Sequence, residues 1–135
     1  MRINGSYTPI NWEEKDIEII EDRFKLTRVS AEFNFEGDIQ GMAKVEYLMF
    51  YSTFDIDDMH KAQAQYVGQI RVIGTVRGKS GSFVANDSGT FVEGVAKSTL
   101  SIIAGSGTGE LSTITGVGEY TANQTGSHWE FEIAL

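Results

Sequence analysis

Few residues in this chain can do chemistry, and one carboxylate stands apart from the rest. Asp87 alternates with Phe83, Ala85, Gly89 and Phe91, so in a strand its side chain shares their face. A carboxylate among apolar neighbours must find a hydrogen-bond donor or raise its pKa until it keeps its proton. Tyr47, Tyr51, Tyr66 and Ser98 stand on the same inward parity and offer hydroxyls, whereas Arg28, Arg71 and Arg77 stand on the opposite one. No inward cation therefore balances Asp87. The competing reading makes Asn86-Asp87-Ser88-Gly89 a bulge that turns the carboxylate outward, and the sequence leaves both open.

Other strings imitate chemistry without its context. Gly74-Thr75-Val76-Arg77-Gly78-Lys79-Ser80 has three residues between its glycines where a phosphate loop needs four, and it joins two strand patterns, so it reads as a hairpin turn. Gly105-Ser106-Gly107-Thr108-Gly109-Glu110 has Glu110 in place of the third glycine of a dinucleotide fingerprint and reads as a Gly-rich loop or strand start. Asp55-Ile56-Asp57-Asp58 fails the calcium-loop pattern at Met59 and His60. His60 and His128 are the only histidines and have no third ligand nearby, so no metal and no other cofactor is expected. The absence of cysteine excludes thiolate sites and disulfides.

The elements that must position these residues are strands. Period-two alternation runs through 25–36, where Thr27, Val29, Ala31, Phe33 and Phe35 oppose Arg28, Ser30, Glu32 and Asn34. It recurs in 62–77, with Ala62, Ala64, Tyr66, Gly68, Ile70, Val72 and Val76 on one face, and at the end, with Trp129, Phe131, Ile133 and Leu135 inward. Glycines punctuate the runs, which gives eight strands near 2–12, 25–36, 39–51, 62–77, 80–92, 95–104, 115–122 and 127–135. Asp57–Gln65 has room for a turn or two of helix. Residues 13–22 carry six carboxylates against Lys15 alone and are expected to be a solvated loop or frayed hairpin. Consecutive strands with short links predict an all-β fold: a closed eight-stranded antiparallel meander barrel over residues 1–135, with a two-sheet sandwich as its rival.

Trp12-Glu13-Glu14, Phe35-x-Gly37 with Gly41, Glu46-Tyr47-Leu48-Met49, Gly78-Lys79-Ser80-Gly81-Ser82-Phe83-Val84, Gly89-Thr90-Phe91 and Gly105 to Leu111 carry a further signal. In that order they resemble an uncharacterised bacterial family of small domains assigned to the allene oxide cyclase-like barrels. The resemblance implies an eight-stranded antiparallel barrel in a bacterial, cytoplasmic protein, and no established activity. Distant relatives of that barrel, plant allene oxide cyclases and dirigent proteins, steer reactive substrates in a cavity and tend to form trimers. Members of the family often carry His where this chain has Asp87, which weakens any shared acid–base role.

Charge narrows the partners. Eleven Lys and Arg against 19 Asp and Glu give −8, a field that repels phosphate backbones, so no nucleic acid is expected. There is no apolar run of membrane length, and Met1-Arg2-Ile3-Asn4-Gly5-Ser6 shows no secretory h-region. The expected function is binding of one small apolar ligand, with Asp87, Tyr47 and Tyr66 as the polar pole and Phe33, Phe83, Phe91 and Trp129 as the wall. The alternatives are a cyclase or isomerase acting by shape, with Asp87 or the less favourably placed Glu46 assisting, and a filled barrel with a structural role. The outward apolar residues Met42, Leu48, Phe50, Val67 and Ile73 predict a homo-oligomer, dimer or trimer.

Overall fold

The computed structural model describes residues 1–54, 58 and 61–135. Asp55, Ile56, Asp57, Met59 and His60 lie outside that set, and with them most of the calcium-like string and part of the predicted helical turn. The last three residues of that turn, 63–65, belong instead to a strand paired on both sides. Among the described residues there are nine strands: β1 (Arg2–Ile20), β2 (Phe24–Gly37), β3 (Ile39–Thr53), β4 (Gln63–Val76), β5 (Lys79–Val92), β6 (Val95–Ile102), the two-residue β7 (Thr108–Gly109), β8 (Thr115–Asn123) and β9 (Gly126–Ala134). All pairings are antiparallel. The order β4-β3-β2-β1-β9-β8-β6-β5 returns on itself because β4 also pairs with β5, so the hydrogen bonds form a ring. Among the described residues no helix is long and apolar enough to cross a membrane.

Alternation places the large apolar side chains inside. Val29, Ala31, Phe33, Phe35, Val45, Tyr47, Ile70, Val72, Phe83, Ala85 and Trp129 are all buried, while Arg28, Lys44, Arg71 and Arg77 are exposed. Tight turns close the hairpins as their residue types dictate. Arg77-Gly78 and Glu93-Gly94 join Val76 to Lys79 and Val92 to Val95, with positive φ at both residues of each turn. The phosphate-loop lookalike is therefore a hairpin.

Two sequence expectations change. Most of the acidic stretch is neither a loop nor a frayed hairpin but one arm of a paired hairpin. Strand β1 continues to Ile20 and pairs with β2 from Gly5 onward, Glu14 opposite Val29 and Ile20 opposite Phe24, which leaves Glu21 and Asp22 in the turn. Its side chains are mostly exposed, which is why the charge run resembles a solvated connection. Leu135 follows the last strand and is 37% exposed, so the inward row ends at Ile133.

The two ends of the ring differ. At the end holding Arg2, Ile39, Val76 and Ala134, the 103–114 connection folds over and buries Leu111 and Ile114. Ser106 Oγ accepts from Val84 N–H and donates to Val84 O, and the Glu110 carboxylate accepts from Ser80 N–H, so this Gly-rich loop is sewn to β5. Trp129, Phe35, Phe131 and Phe83 fill the space beneath, with ring centroids 5.7–6.4 Å apart. At the other end β1 separates from β9. Backbone pairing stops at Gly5–Trp129, and Ser127 Oγ then accepts from Tyr7 N–H and donates to Tyr7 O, standing in for one ladder pair. Pro9, which has no N–H to offer, and a register shift before Asn11 carry β1 outward from there.

Candidate functional site

That separation opens a cavity of about 740 Å³ in the upper half of the ring. Its walls are Phe33, Phe91, Tyr7 and Met49, with Tyr47, Tyr66 and Tyr120 at the bottom. Trp12 and Glu14 stand on one lip and residues 122–127 on the other. No Lys, Arg or His is among the described residues that line it.

The floor exists because glycines leave room for tyrosines to reach across strands. Tyr47 on β3 is opposite Gly68 on β4, which is opposite Asp87 on β5. A Cβ on Gly68 would sit 2.8 Å from Tyr47 Cδ1, so the ring lies over the bare glycine. Its hydroxyl then donates to Asp87 Oδ2 at 2.6 Å. The same arrangement recurs one row away: Tyr66 crosses Gly89 to pair with Ser98 Oγ. Tyr120 on β8, opposite Ser98, brings its hydroxyl to 2.7 Å from that of Tyr47.

Asp87 is thus the buried centre of a hydroxyl network. The β4–β5 and β5–β6 registers run through it without a shift, so the bulge that would turn it outward is not there. It is 1% exposed, and its Oδ1 is buried with no hydrogen-bond partner. Burial pushes its pKa up from 3.8 to about 6, against the hydroxyls of Tyr47 and Ser98, which favour the charged form. Burial also raises Tyr7, Tyr47, Tyr66 and Tyr120, with the Asp87 charge adding to it, so these phenols stay protonated.

A second carboxylate guards the mouth. Glu14 Oε2 accepts from Thr27 Oγ1 at 2.8 Å and from Tyr51 OH at 2.6 Å, and its Oε1 accepts from Trp12 Nε1 at 3.2 Å. Tyr51 therefore serves Glu14 and not Asp87. Tyr47 and Tyr51 are four residues apart on one strand, which separates the two carboxylate sites by roughly 13 Å.

Of the residues expected to form a ligand site, Tyr47, Tyr66, Phe33 and Phe91 line the cavity, and Asp87 lies directly behind its floor. Phe83 and Trp129 do not line it. They belong to the filled half, where Trp129 is fully buried and donates from Nε1 to Ser6 O. Glu46 is outside the ring, accepting from Ser30 Oγ, and His128 is exposed on the outer face near Glu130. Tyr120, Tyr7 and Glu14 were not picked out by sequence reasoning. Tyr120 shares its parity with Gly118 and Ala122, which was the available signal.

A ring of antiparallel strands, one half packed solid and the other open above a buried tyrosine–carboxylate network, defines a class of small all-β proteins with an internal cavity. Within that class, the chain belongs to the DUF3224 family, proteins of unknown function, whose family model matches residues 3–133. It is similar to the crystal structure of a protein of unknown function from the same family, from Shewanella oneidensis MR-1 at 1.84 Å resolution. The two share 20% identity with a TM-score of 0.77, over 100% of this chain and 97% of that one, a likeness of fold. No curated protein matches the chain.

Proposed function

We propose that the closed ring acts as an eight-stranded barrel, of the allene oxide cyclase-like kind that its sequence resembles, and holds one small apolar ligand that is neutral or cationic. The observation that carries this reading is the composition of the cavity: aromatic walls, a carboxylate at the mouth, another behind the floor, and no cation among the described lining residues. Apolar walls favour burial of a compact hydrocarbon body. An anion entering would lose its hydration and meet no cation among the described lining residues. A second reading, isomerisation of a reactive molecule by shape, draws on the continuous path from Tyr120 through Tyr47 to Asp87, along which a proton can pass.

Trp12, 49% exposed on the lip, is the reporter for binding, since Trp129 is sealed in the packed half. Titration with 1-adamantylamine should change the Trp12 fluorescence saturably, and adamantane-1-carboxylate should bind at least about tenfold more weakly. The signal should vanish in Trp12→Phe. Equal or tighter binding of the carboxylate would count against the site.

A further inference from the structure

Hydroxyl groups carry one proton each, and counting them in the floor fixes how it faces the cavity. Ionised Asp87 only accepts, so the Tyr47 proton goes to Oδ2. The 2.7 Å contact between Tyr47 and Tyr120 needs a proton of its own, and only Tyr120 has one left to supply it. Tyr120 is among the residues that line the cavity, and its oxygen is then left with lone pairs and no donor. Beside it, Tyr66 and Ser98 share one hydrogen bond, and with Tyr66 donating, the Ser98 proton is left for Asp87, whose charged form it favours.

We propose that Tyr120 is the hydroxyl that recognises the ligand, and that with Asp87 ionised it accepts a hydrogen bond from an alcohol or ammonium group on an otherwise apolar molecule. This rests on the cavity-binding reading above and names the functional group that the cavity selects. Protonation of Asp87 reverses the chain. A proton on Oδ1 would be buried without an acceptor, whereas on Oδ2 it donates to Tyr47, which turns its own proton to Tyr120 and frees the Tyr120 proton for the cavity. The floor then offers a donor.

The groups facing Asp87 from the surrounding strands are Tyr7 on β1, Tyr47 on β3, Tyr66 on β4, Ser98 on β6 and Tyr120 on β8. None of them titrates near neutrality, which leaves Asp87 to set the polarity, with a reversal near pH 6.

The test uses two neutral probes on one body, 1-adamantanemethanol and its methyl ether, by titration calorimetry at pH 8 and pH 5. At pH 8 the alcohol, which can donate, should bind about tenfold more tightly than the ether, which cannot. At pH 5 the ether should gain affinity and the gap should close. Tyr120→Phe should remove the gap at pH 8 and leave the affinity for the ether nearly unchanged. A gap of the same size at both pH values in the wild-type protein overturns this inference, as does a gap that survives in Tyr120→Phe, and the cavity reading stands in either case. Failure of both probes to bind overturns the cavity reading and this inference with it.

Discussion

Replacing Asp87 with asparagine keeps the shape of the side chain and removes the one fully buried carboxylate among the described residues. Its effect on stability depends on pH, and the size follows from the structure. Asp87 titrates near 6 when folded and near 3.8 when exposed, about two pH units, or about 3 kcal/mol. Between those values the folded chain holds a proton that the unfolded chain has lost, so stability from this group is present below pH 3.8 and lost as pH rises through 6. The asparagine variant has no such loss. Its amide still accepts from Tyr47, and its NH₂ replaces the unpartnered Oδ1, an offset that does not vary with pH. Urea unfolding of both proteins from pH 4 to pH 8, followed by far-ultraviolet circular dichroism, gives the difference directly. The variant should gain about 3 kcal/mol relative to wild type across that range. A difference that stays flat, or that moves in favour of wild type as pH rises, would refute the buried, poorly solvated carboxylate.

Three further outcomes are expected. Gly68→Ala should destabilise by about 3 kcal/mol, because its Cβ would fall 1.9 Å from Glu46 O and press on the Tyr47 ring. Thermal melting checks this, and an unchanged midpoint contradicts the crossing geometry. Tyr47→Phe removes the donor to Asp87 Oδ2, so the carboxyl should titrate above 6 by carbon-detected NMR, and a downward move would show that Tyr47 does not hold the charged form. Met42, Leu48, Phe50, Val67 and Ile73 are all exposed on the outer face, Leu48 opposite Val67 and Met42 opposite Ile73. If a second copy covers them, Leu48→Lys should move the sedimentation profile toward monomer, and a wild-type monomer at high micromolar concentration ends that expectation.

Strand positions and inward parity were legible because each strand of the ring has one dry face, so alternation in 25–36 or 62–77 maps onto burial almost residue for residue. The arm made by residues 13–20 was not, since both of its faces are largely wet and its pairing comes from β2. Asp87 could be found by parity alone. Tyr120, linked to it through Tyr47, was harder, standing on a strand whose other inward places are small, Gly118 and Ala122. Parity also cannot say which half of a ring is filled. That depends on Leu111 and Ile114, delivered by a long loop, and it is why Phe83 and Trp129 pack a core instead of facing a ligand. Gly68 and Gly89 were legible as inward strand positions, but not as the gaps over which the tyrosines of the floor reach.

The most direct test of the cavity as a ligand site is to fill it. Ala96 lines the wall between Phe91 and Ala122, so Ala96→Phe puts a ring into the space without touching the packed half or the Asp87 network. Calorimetric titration of 1-adamantylamine into wild type and variant at pH 8 should show one site in the wild-type protein and none in the variant, with the unfolding midpoint of the variant preserved. Equal binding by the two proteins would place the ligand elsewhere and contradict the cavity as the site.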